Sequence, residues 1–385
     1  MAKSKPDRPA TPRAGSSPSR APSGANSGAN SGANSGANAG AKSSSRSIAP
    51  ETTSATSTGK SPSNSPSSKS TPPTVAGRSI RSVLVLADGE KGRIHDLVPA
   101  LRAWLARHAE RVDVELDVRE FYKRRSSAKR KDKAPDLVVV LGGDGAILAA
   151  VRAFNDEPVP TIGINFGRVG FLASVEASHW QESLLHVFEG RSIVENRMRL
   201  VAELMPAGGE KPVTAVALND AVITRGAFQG MLSIALRDGA DWVTNYRCDG
   251  LVVSTPSGST AYSMSAGGPI LAPSMSAFVV TPVCPQSLSH RPIVVDGDHE
   301  LVLHVTDASG LTTLVVDGQG FYPMHEGDSV RITRHAQSFP LLALPGFDAY
   351  RRLRERLGWR GQFEPDVFPS EGVADARAPR TTDSL

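Results

Sequence analysis

The sequence predicts an α/β domain on a parallel sheet, then an all-β domain of sandwich type, behind a disordered N-terminal tail. Three observations carry this reading. From residue 78 to about residue 191, short apolar runs alternate with stretches of helical periodicity, as in strands joined by crossover helices. Beyond that point strand-like runs follow one another across turn chemistry such as DG, DGD, ASG and EGD, with few helical patterns between them. Residues 1–75 hold no Phe, Tyr or Trp and are dominated by Ser, Ala, Gly and Pro, including an NSGA repeat. The expected organisation is a tail over 1–77, an α/β domain over 78–192 and a β domain over 193–345. A C-terminal helix over 346–361 packs back, and a polar tail covers 362–385.

The N-terminal tail cannot bury enough apolar surface to offset the entropy of ordering it. It also accounts for the basic character of the chain. Nine Lys or Arg against two Asp or Glu give it +7, whereas the 385-residue chain is +4, so residues 76–385 sum to −3. The sequence pI of 9.1 therefore belongs to the tail and not to a nucleic-acid-binding surface. One basic run, KRRSSAKRKDK at 123–133, has aromatic residues only at its flank, Phe121 and Tyr122, and reads as a solvated loop, with a phosphate-attracting rim as the alternative. No stretch approaches the roughly 18 apolar residues of a membrane span. The N-terminus lacks the apolar core of a secretory signal. Cys248 and Cys284 match no metal-ligand spacing and read as reduced thiols of a cytoplasmic protein.

In chain order, 82–88 (SVLVLAD) reads as a buried strand, and Ile94, Leu97, Leu101 and Leu105 mark a helix over 94–108. A strand is expected over 112–118 and another over 137–141, then a helix over 146–154, a strand over 161–165 and a helix over 178–188. The β half is expected to have strands over 193–205, 215–224, 231–237, 242–255, 300–306, 312–317 and 329–333. Residues 347–359 (FDAYRRLRERLGW) form an amphipathic helix.

Motifs cluster at the ends of these strands. Residues 137–146 read LVVVLGGDGA, a lone carboxylate, Asp144, among Gly142, Gly143 and Gly145 at the carboxyl end of a buried strand. Ligands of open α/β sheets bind there. The segment 249–262 (DGLVVSTPSGSTAY) sets six hydroxyl side chains around Pro256 and Gly258, where N–H and O–H groups can converge on phosphate or ribose oxygens. It runs on into SMSAGG, a short helix start. Asn165 leaves a strand into a glycine turn (NFGRVGFL), Asn219-Asp220 is a polar pair inside an apolar run, and Asp317-Gly318-Gln319 ends another. Each can be a turn or a solvated pair; together they fit one site between the two halves.

In that order and spacing, GGDG, NFGRVGFL, ND, DGLVVSTPSGSTAY, PVCPQSLSHRPIV and VVDGQ resemble the ATP-dependent NAD kinase family of bacterial type, from about residue 82 to 359. GGDG alone is also similar to motifs of diacylglycerol kinases and phosphofructokinases; the TPSGSTAY block with NxGxxGFL is the specific part. The resemblance implies transfer of the γ-phosphate of ATP to the 2′-hydroxyl of the adenosine ribose of NAD, with a divalent metal (Mg or Mn) whose ligands it leaves unknown. It implies a homodimer or homotetramer with adenine near the next subunit, and it leaves open whether polyphosphate can replace ATP as donor.

By the same resemblance Asp144 is the general base, since a ribose hydroxyl is a poor nucleophile until a positioned carboxylate takes its proton. Gly142, Gly143, Gly145 and Asn165 form the phosphate-binding turn. NAD contacts are implied for Asp144, Gly145, Asn219, Asp220, Arg247, Asp249, Thr260, Ala261, Tyr262, Ser263, Met264, Ser265 and Gln319. Three positions depart from the family pattern: Ala146 stands where Thr is usual, Ala149 where many relatives carry Arg or Lys, and Gly230 where Arg or His is frequent. Arg152 and Arg225 are the cations that could compensate. A lipid kinase sharing GGDG and a non-catalytic nucleotide or nucleic-acid binder are the competing classes. The first needs an apolar acceptor groove, which the hydroxyl-rich segment fits poorly.

Overall fold

The computed structural model describes residues 74–75, 78–88, 92–127, 133–167, 170–226, 230–308, 310–346 and 349–359. The expectations for residues 1–73, for the polar segment from 362 and for the basic residues 128–132 lie outside them. The tail expected over 1–77 is corrected at its end: Thr74–Val75 pairs antiparallel with Arg78–Ser79, because Val75 buries itself in the core of the α/β half.

A seven-stranded sheet carries the first half. Its order is Arg111–Glu115, Ser82–Ala87, Leu137–Leu141, Thr161–Asn165, Phe339–Ala343, Ile193–Arg197, with Val175–Glu176 beside Thr161–Asn165. The first four pair in parallel. All five residues of Leu137–Leu141 and of Thr161–Asn165 are buried, as strands covered on both faces require. Helices Gly92–Leu105 and Trp180–Phe188 close one face through Ile94, Leu101, Leu184 and Phe188. Helices Val118–Ser127 and Asp144–Ala153 close the other through Val118, Ile147 and Phe154.

The second half is two six-stranded antiparallel sheets. One runs Val213–Ala217, Leu200–Met205, Ser329–Arg334, Leu301–Ala308, Leu232–Asp238, Asp241–Cys248; the other Ile293–Asp296, Ala277–Val283, Gly250–Ser254, Asp220–Arg225, Thr312–Val316, Gly320–Met324. Their inner faces share one apolar core, with Leu200, Ile234 and Leu303 from the first meeting Leu251, Phe278 and Leu314 from the second. This is the sandwich the alternation predicts.

Three long expected strands are each broken in two. Residues 193–205 separate into Ile193–Arg197, which joins the parallel sheet, and Leu200–Met205, which opens the sandwich. The break is held by Arg199, fully buried, which donates to the Gln337 carbonyl at 3.0 Å, to Asn155 O and Oδ1 at 2.9 Å, and to His335 Nδ1 at 3.0 Å. Burial pulls its guanidinium down to about 10. Residues 215–224 break at Leu218-Asn219, and 242–255 breaks at Asp249, each half going to a different sheet. The end of the expected strand 112–118 and the start of the expected basic loop instead form helix Val118–Ser127, because Val118, Phe121 and Tyr122 fall on one helical face and pack on the core.

No helix among the described residues is long and apolar enough to cross a membrane. Both cysteines are free, and burial pushes the Cys248 thiol up to about 12.

Arg199→Ala removes a fully buried side chain that donates to Asn155, His335 and Gln337, so the expected loss of stability is about 2 kcal/mol or more. Urea unfolding checks this; a loss below about 1 kcal/mol would show that the strand crossing does not depend on Arg199.

Candidate functional site

Asp144 begins its helix, with Gly143 as N-cap, and its carboxylate faces the loop that follows Thr161–Asn165. Three successive amides converge on it: Phe171 N–H donates to Oδ2 at 2.8 Å, while Leu172 and Ala173 donate to Oδ1 at 3.1 Å. The approach is so close that a Cβ on Gly170 would lie 1.8 Å from Oδ1, so only glycine fits there. Asn165 shapes the same loop by accepting the Gly167 N–H on its side-chain oxygen at 3.1 Å.

Two cavities meet at this turn. The first, about 480 Å³, is lined by Gly143, Gly145, Ala146 and Ala149 with Asp88, Val118, Tyr122, Lys123, Arg152, Gly318, Gln319 and Phe321. The second, about 450 Å³, is lined by Asp144, Phe171, Leu172, Asn219, Ser257, Thr260, Ala261, Met264 and Ser265, with Arg356 and Leu357 of the C-terminal helix. In the first, Arg152 lies 4.5 Å over the Tyr122 ring, bonds its hydroxyl at 3.1 Å, and donates to Gln319 Oε1. Gln319 in turn donates to the Gly145 carbonyl at 3.0 Å. A Cβ at Gly143 or Gly145 would meet no protein atom within 4 Å. The protein's own packing therefore does not require glycine at either place.

On the sandwich side a second carboxylate gathers three amides. Asp317, left-handed at φ 51°, accepts from Leu218, Asn219 and Asp220 N–H at 2.8, 2.7 and 3.1 Å. This interrupts the strand and turns Asn219 toward the second cavity, where its buried Oδ1 has no partner among the described residues. Gly258 allows the contact, since a Cβ there would lie 2.0 Å from the Asn219 carbonyl. Asp220 and Asp317 are both buried. Burial and the neighbouring Asp317 push Asp220 up to about 7; burial pushes Asp317 up to about 6, opposed by its three amide donors.

Of the residues expected at the site, Asp144, Asn219, Thr260, Ala261, Met264 and Ser265 line one cavity, and Gly143 and Gly145 line the other. Gln319 falls in the first cavity and not beside Asn219. Gly142 is a correction: it is buried, its N–H donates to Ile164 O, and it packs on Ala146, so its amide is not open to a phosphate. Ser263 is buried and bonds Thr281 Oγ1, so it braces the loop and lines neither cavity; Tyr262 is exposed outside both. Arg247 and Asp249 lie beyond the far end of strand Gly250–Ser254, roughly 15 Å from Asn219 by strand rise. There Asp249 is gripped by Arg225 at 2.9 and 3.2 Å, which removes Arg225 as a compensating cation; Arg152 is the one that reaches the turn. Gly230 also sits at that far end, ahead of Leu232, which faces Cys248.

Sequence reasoning missed Phe171 and Leu172 as site residues, although their motif was recognised, and it missed Asp88, Lys123, Phe321 and Arg356. Lys123 had its signal in the basic run. Arg356 had none beyond the amphipathic period of its helix.

Two family profiles match the chain: an ATP-NAD kinase N-terminal domain over residues 83–192 and an ATP-NAD kinase C-terminal domain over residues 218–344. The NAD kinase of Rhodopirellula baltica is 37% identical over 280 residues, covering 73% of this chain and 87% of its own. That of Nitrosomonas europaea is 41% identical over 231 residues, covering 60% and 77%. Among solved structures, yeast NADH kinase complexed with NADH aligns with a TM-score of 0.62 at 21% identity, over 74% of this chain and 89% of that one, a likeness of fold. An NAD kinase from Archaeoglobus fulgidus in complex with ATP aligns with a TM-score of 0.55 at 27% identity, over 72% and 97%.

The acid pair predicts a pH dependence of stability. A carboxyl whose folded pKa is raised above its unfolded value binds its proton more tightly when folded, so its contribution is present at low pH and is lost as pH rises through the folded value. The ligand-free protein should therefore lose stability between about pH 4 and about pH 7 through this pair. Asp220→Asn should flatten that part of a melting-temperature profile, and an unchanged slope would show that the pair does not titrate there.

Proposed function

The chain belongs to the ATP-NAD kinase family, and from that premise we propose a division of labour between its two cavities, with Asp144 as the base where they meet. The reaction moves the γ-phosphate of ATP to the 2′-hydroxyl of the adenosine ribose of NAD, giving NADP and ADP. One observation supports the division above others: the Asp144 carboxylate faces the second cavity, while the glycines on either side of it face the first.

The second cavity suits the acceptor. Asn219, Ser257, Thr260 and Ser265 give its wall a polar character that suits a nucleoside and that an apolar lipid acceptor could not use. Asp144 Oδ2 accepts a single amide and keeps capacity for the ribose hydroxyl, whose proton it takes as the oxygen attacks phosphorus. The three amides fix the carboxylate in advance, so little reorganisation is needed at the moment of attack.

The first cavity suits the donor. The helix beginning at Asp144 leaves its first amides without intrahelical partners, and the open Cβ positions of Gly143 and Gly145 let phosphate oxygens approach them. Lys123 and Arg152 supply positive charge where Ala146 and Ala149 supply none. A divalent cation carried in on the phosphates of ATP needs only one or two protein carboxylates, and Asp88 on this wall fits that need. Bound there, the cation would neutralise charge on the transferring phosphoryl group.

Arg247 and Asp249 stand at the opposite end of strand Gly250–Ser254 from Asn219. Presentation of these two residues by a neighbouring subunit of a homodimer or homotetramer would bring them to NAD. Free thiols and the two soluble substrates suit a cytoplasmic setting.

Formation of NADP from NAD and ATP by the purified protein tests the function directly. Asp144→Asn keeps the size of the side chain and removes its basicity, and loss of a positioned general base costs on the order of 10²- to 10⁴-fold in turnover. The expected drop is at least about 10²-fold, with NAD still bound and no recovery at raised magnesium. A variant that keeps more than a tenth of wild-type turnover would remove Asp144 from the role of base.

A further inference from the structure

We propose that Arg356, on the C-terminal helix, is the cation that holds the pyrophosphate of the dinucleotide in the acceptor cavity. The proposal rests on the NAD kinase reading and names a group in the site that no motif of the sequence points to.

The helix Ala349–Leu357 is docked by its first turn and a half. Arg352 is buried, donates to the Phe171 carbonyl at 2.6 Å and lies 3.7 Å from the Glu195 carboxylate; Leu353 is buried beside it. Residues four apart share a helix face, so Arg356 must emerge over the same loop one turn on. It does: its guanidinium carbon stands 5.5 Å from the centroid of the Phe171 ring, and the residue lines the cavity with Asp144, Thr260 and Asn219. Phe171 is also the residue whose N–H holds Asp144 Oδ2. One residue therefore touches the base through its amide, anchors the helix through its carbonyl, and carries Arg356 on its ring.

The charge balance of the cavity gives the consequence. Among the described residues that line it, Asp144 is the one anion and Arg356 the one cation. A ribose with its 2′-hydroxyl at Asp144 places the 5′-linked pyrophosphate a sugar's length away, in a space already holding a carboxylate. Like charges repel there, and an opposing guanidinium removes the penalty. Arginine fits the task because its planar fork matches phosphate oxygens and because it stays charged while stacked on an aromatic ring. Arg352 has a carbonyl and a carboxylate to satisfy it; Arg356 has only the ring, and among the described residues it forms no ion pair. Its charge is open to a ligand.

The test uses the full chain, with Arg356→Met, which keeps an apolar stem on Phe171 and removes the charge, and Arg356→Lys, which keeps the charge. Calorimetric titration with NAD and with adenosine, which lacks the pyrophosphate, separates the charge from the fit of the nucleoside. Met should weaken NAD by about tenfold or more, as loss of a charge-assisted contact does, leave adenosine within about twofold, and raise the KM for NAD but not for ATP. Lys should recover most of the NAD affinity. Undiminished NAD binding by Met overturns the proposal. So does equal weakening of adenosine, which would mean the residue only shapes the loop, or a rise confined to the KM for ATP, which would place it on the donor. If Met unfolds early, the salt dependence of wild-type binding decides: NAD must weaken with salt and adenosine must not. Wild-type NADP formation is scored separately, so a protein that binds NAD through Arg356 yet makes no NADP overturns the kinase reading and leaves this one standing.

Discussion

A carboxylate that collects three successive backbone amides organises each side of the cleft. Asp144 takes the amides of 171–173 and Asp317 those of 218–220. Buried or half-buried amides must find acceptors, and a loop that gives three of them to one side chain cannot also pair as a strand. The two breaks therefore follow from the two acids. The first makes the wall that carries Phe171; the second turns Asn219 out of the sandwich and toward Asp144. Both acids need a neighbouring glycine that lets backbone come close, Gly170 at the first and Gly258 beside the second.

The halves are not joined by a simple linker. Strand Ile193–Arg197 leaves the parallel sheet for the sandwich, and Phe339–Ala343 returns from it to pair antiparallel with the strand that left. Arg199, at the exit, bonds Gln337 and His335 near the return, so the two crossings are tied at one point. A cleft whose walls come from different sheets keeps its width only if such a tie holds. The C-terminal helix adds a second tie, because Arg352 reaches the Asp144-binding loop from beyond the return strand.

Much of this was legible in the residues and some of it could not be. The parallel strands read as continuous apolar runs because both their faces are covered, and the GGDG turn could be placed at a strand end from its glycines. Besides three two-residue strands, four longer ones were missed, Ala277–Val283, Ile293–Asp296, Gly320–Met324 and Phe339–Ala343, and three of these contain proline, which argues against a paired strand. The structure uses two of those prolines, Pro282 and Pro323, where a donor is not needed. Pro282 faces Leu251 on one side and lies past the reach of Ile293–Asp296 on the other, and Gly320–Met324 is an edge. The partners of Asp317 and Arg356 were out of reach for a different reason. Asp317 lies 97 to 99 positions from the amides it binds, and no local pattern encodes a contact of that separation.

The departures at Ala146 and Ala149 bear on how charge is distributed around the turn. Both side chains are buried against the core and line the first cavity with methyl groups. Under the donor assignment the positive charge there comes from the neighbouring helix Val118–Ser127 through Lys123, and from Arg152 two turns along the Asp144 helix. Arg152 is stacked on Tyr122 of that neighbouring helix and bonded to Gln319, which holds the carbonyl of Gly145. Its guanidinium is thus fixed by two residues, both outside its own helix, and loses little freedom when a phosphate arrives. The basic segment that reads as a solvated loop is then, in its first turns, part of the wall. The same apolar face that makes it a helix, Val118, Phe121 and Tyr122, is what brings Lys123 to the turn and gives Arg152 its ring.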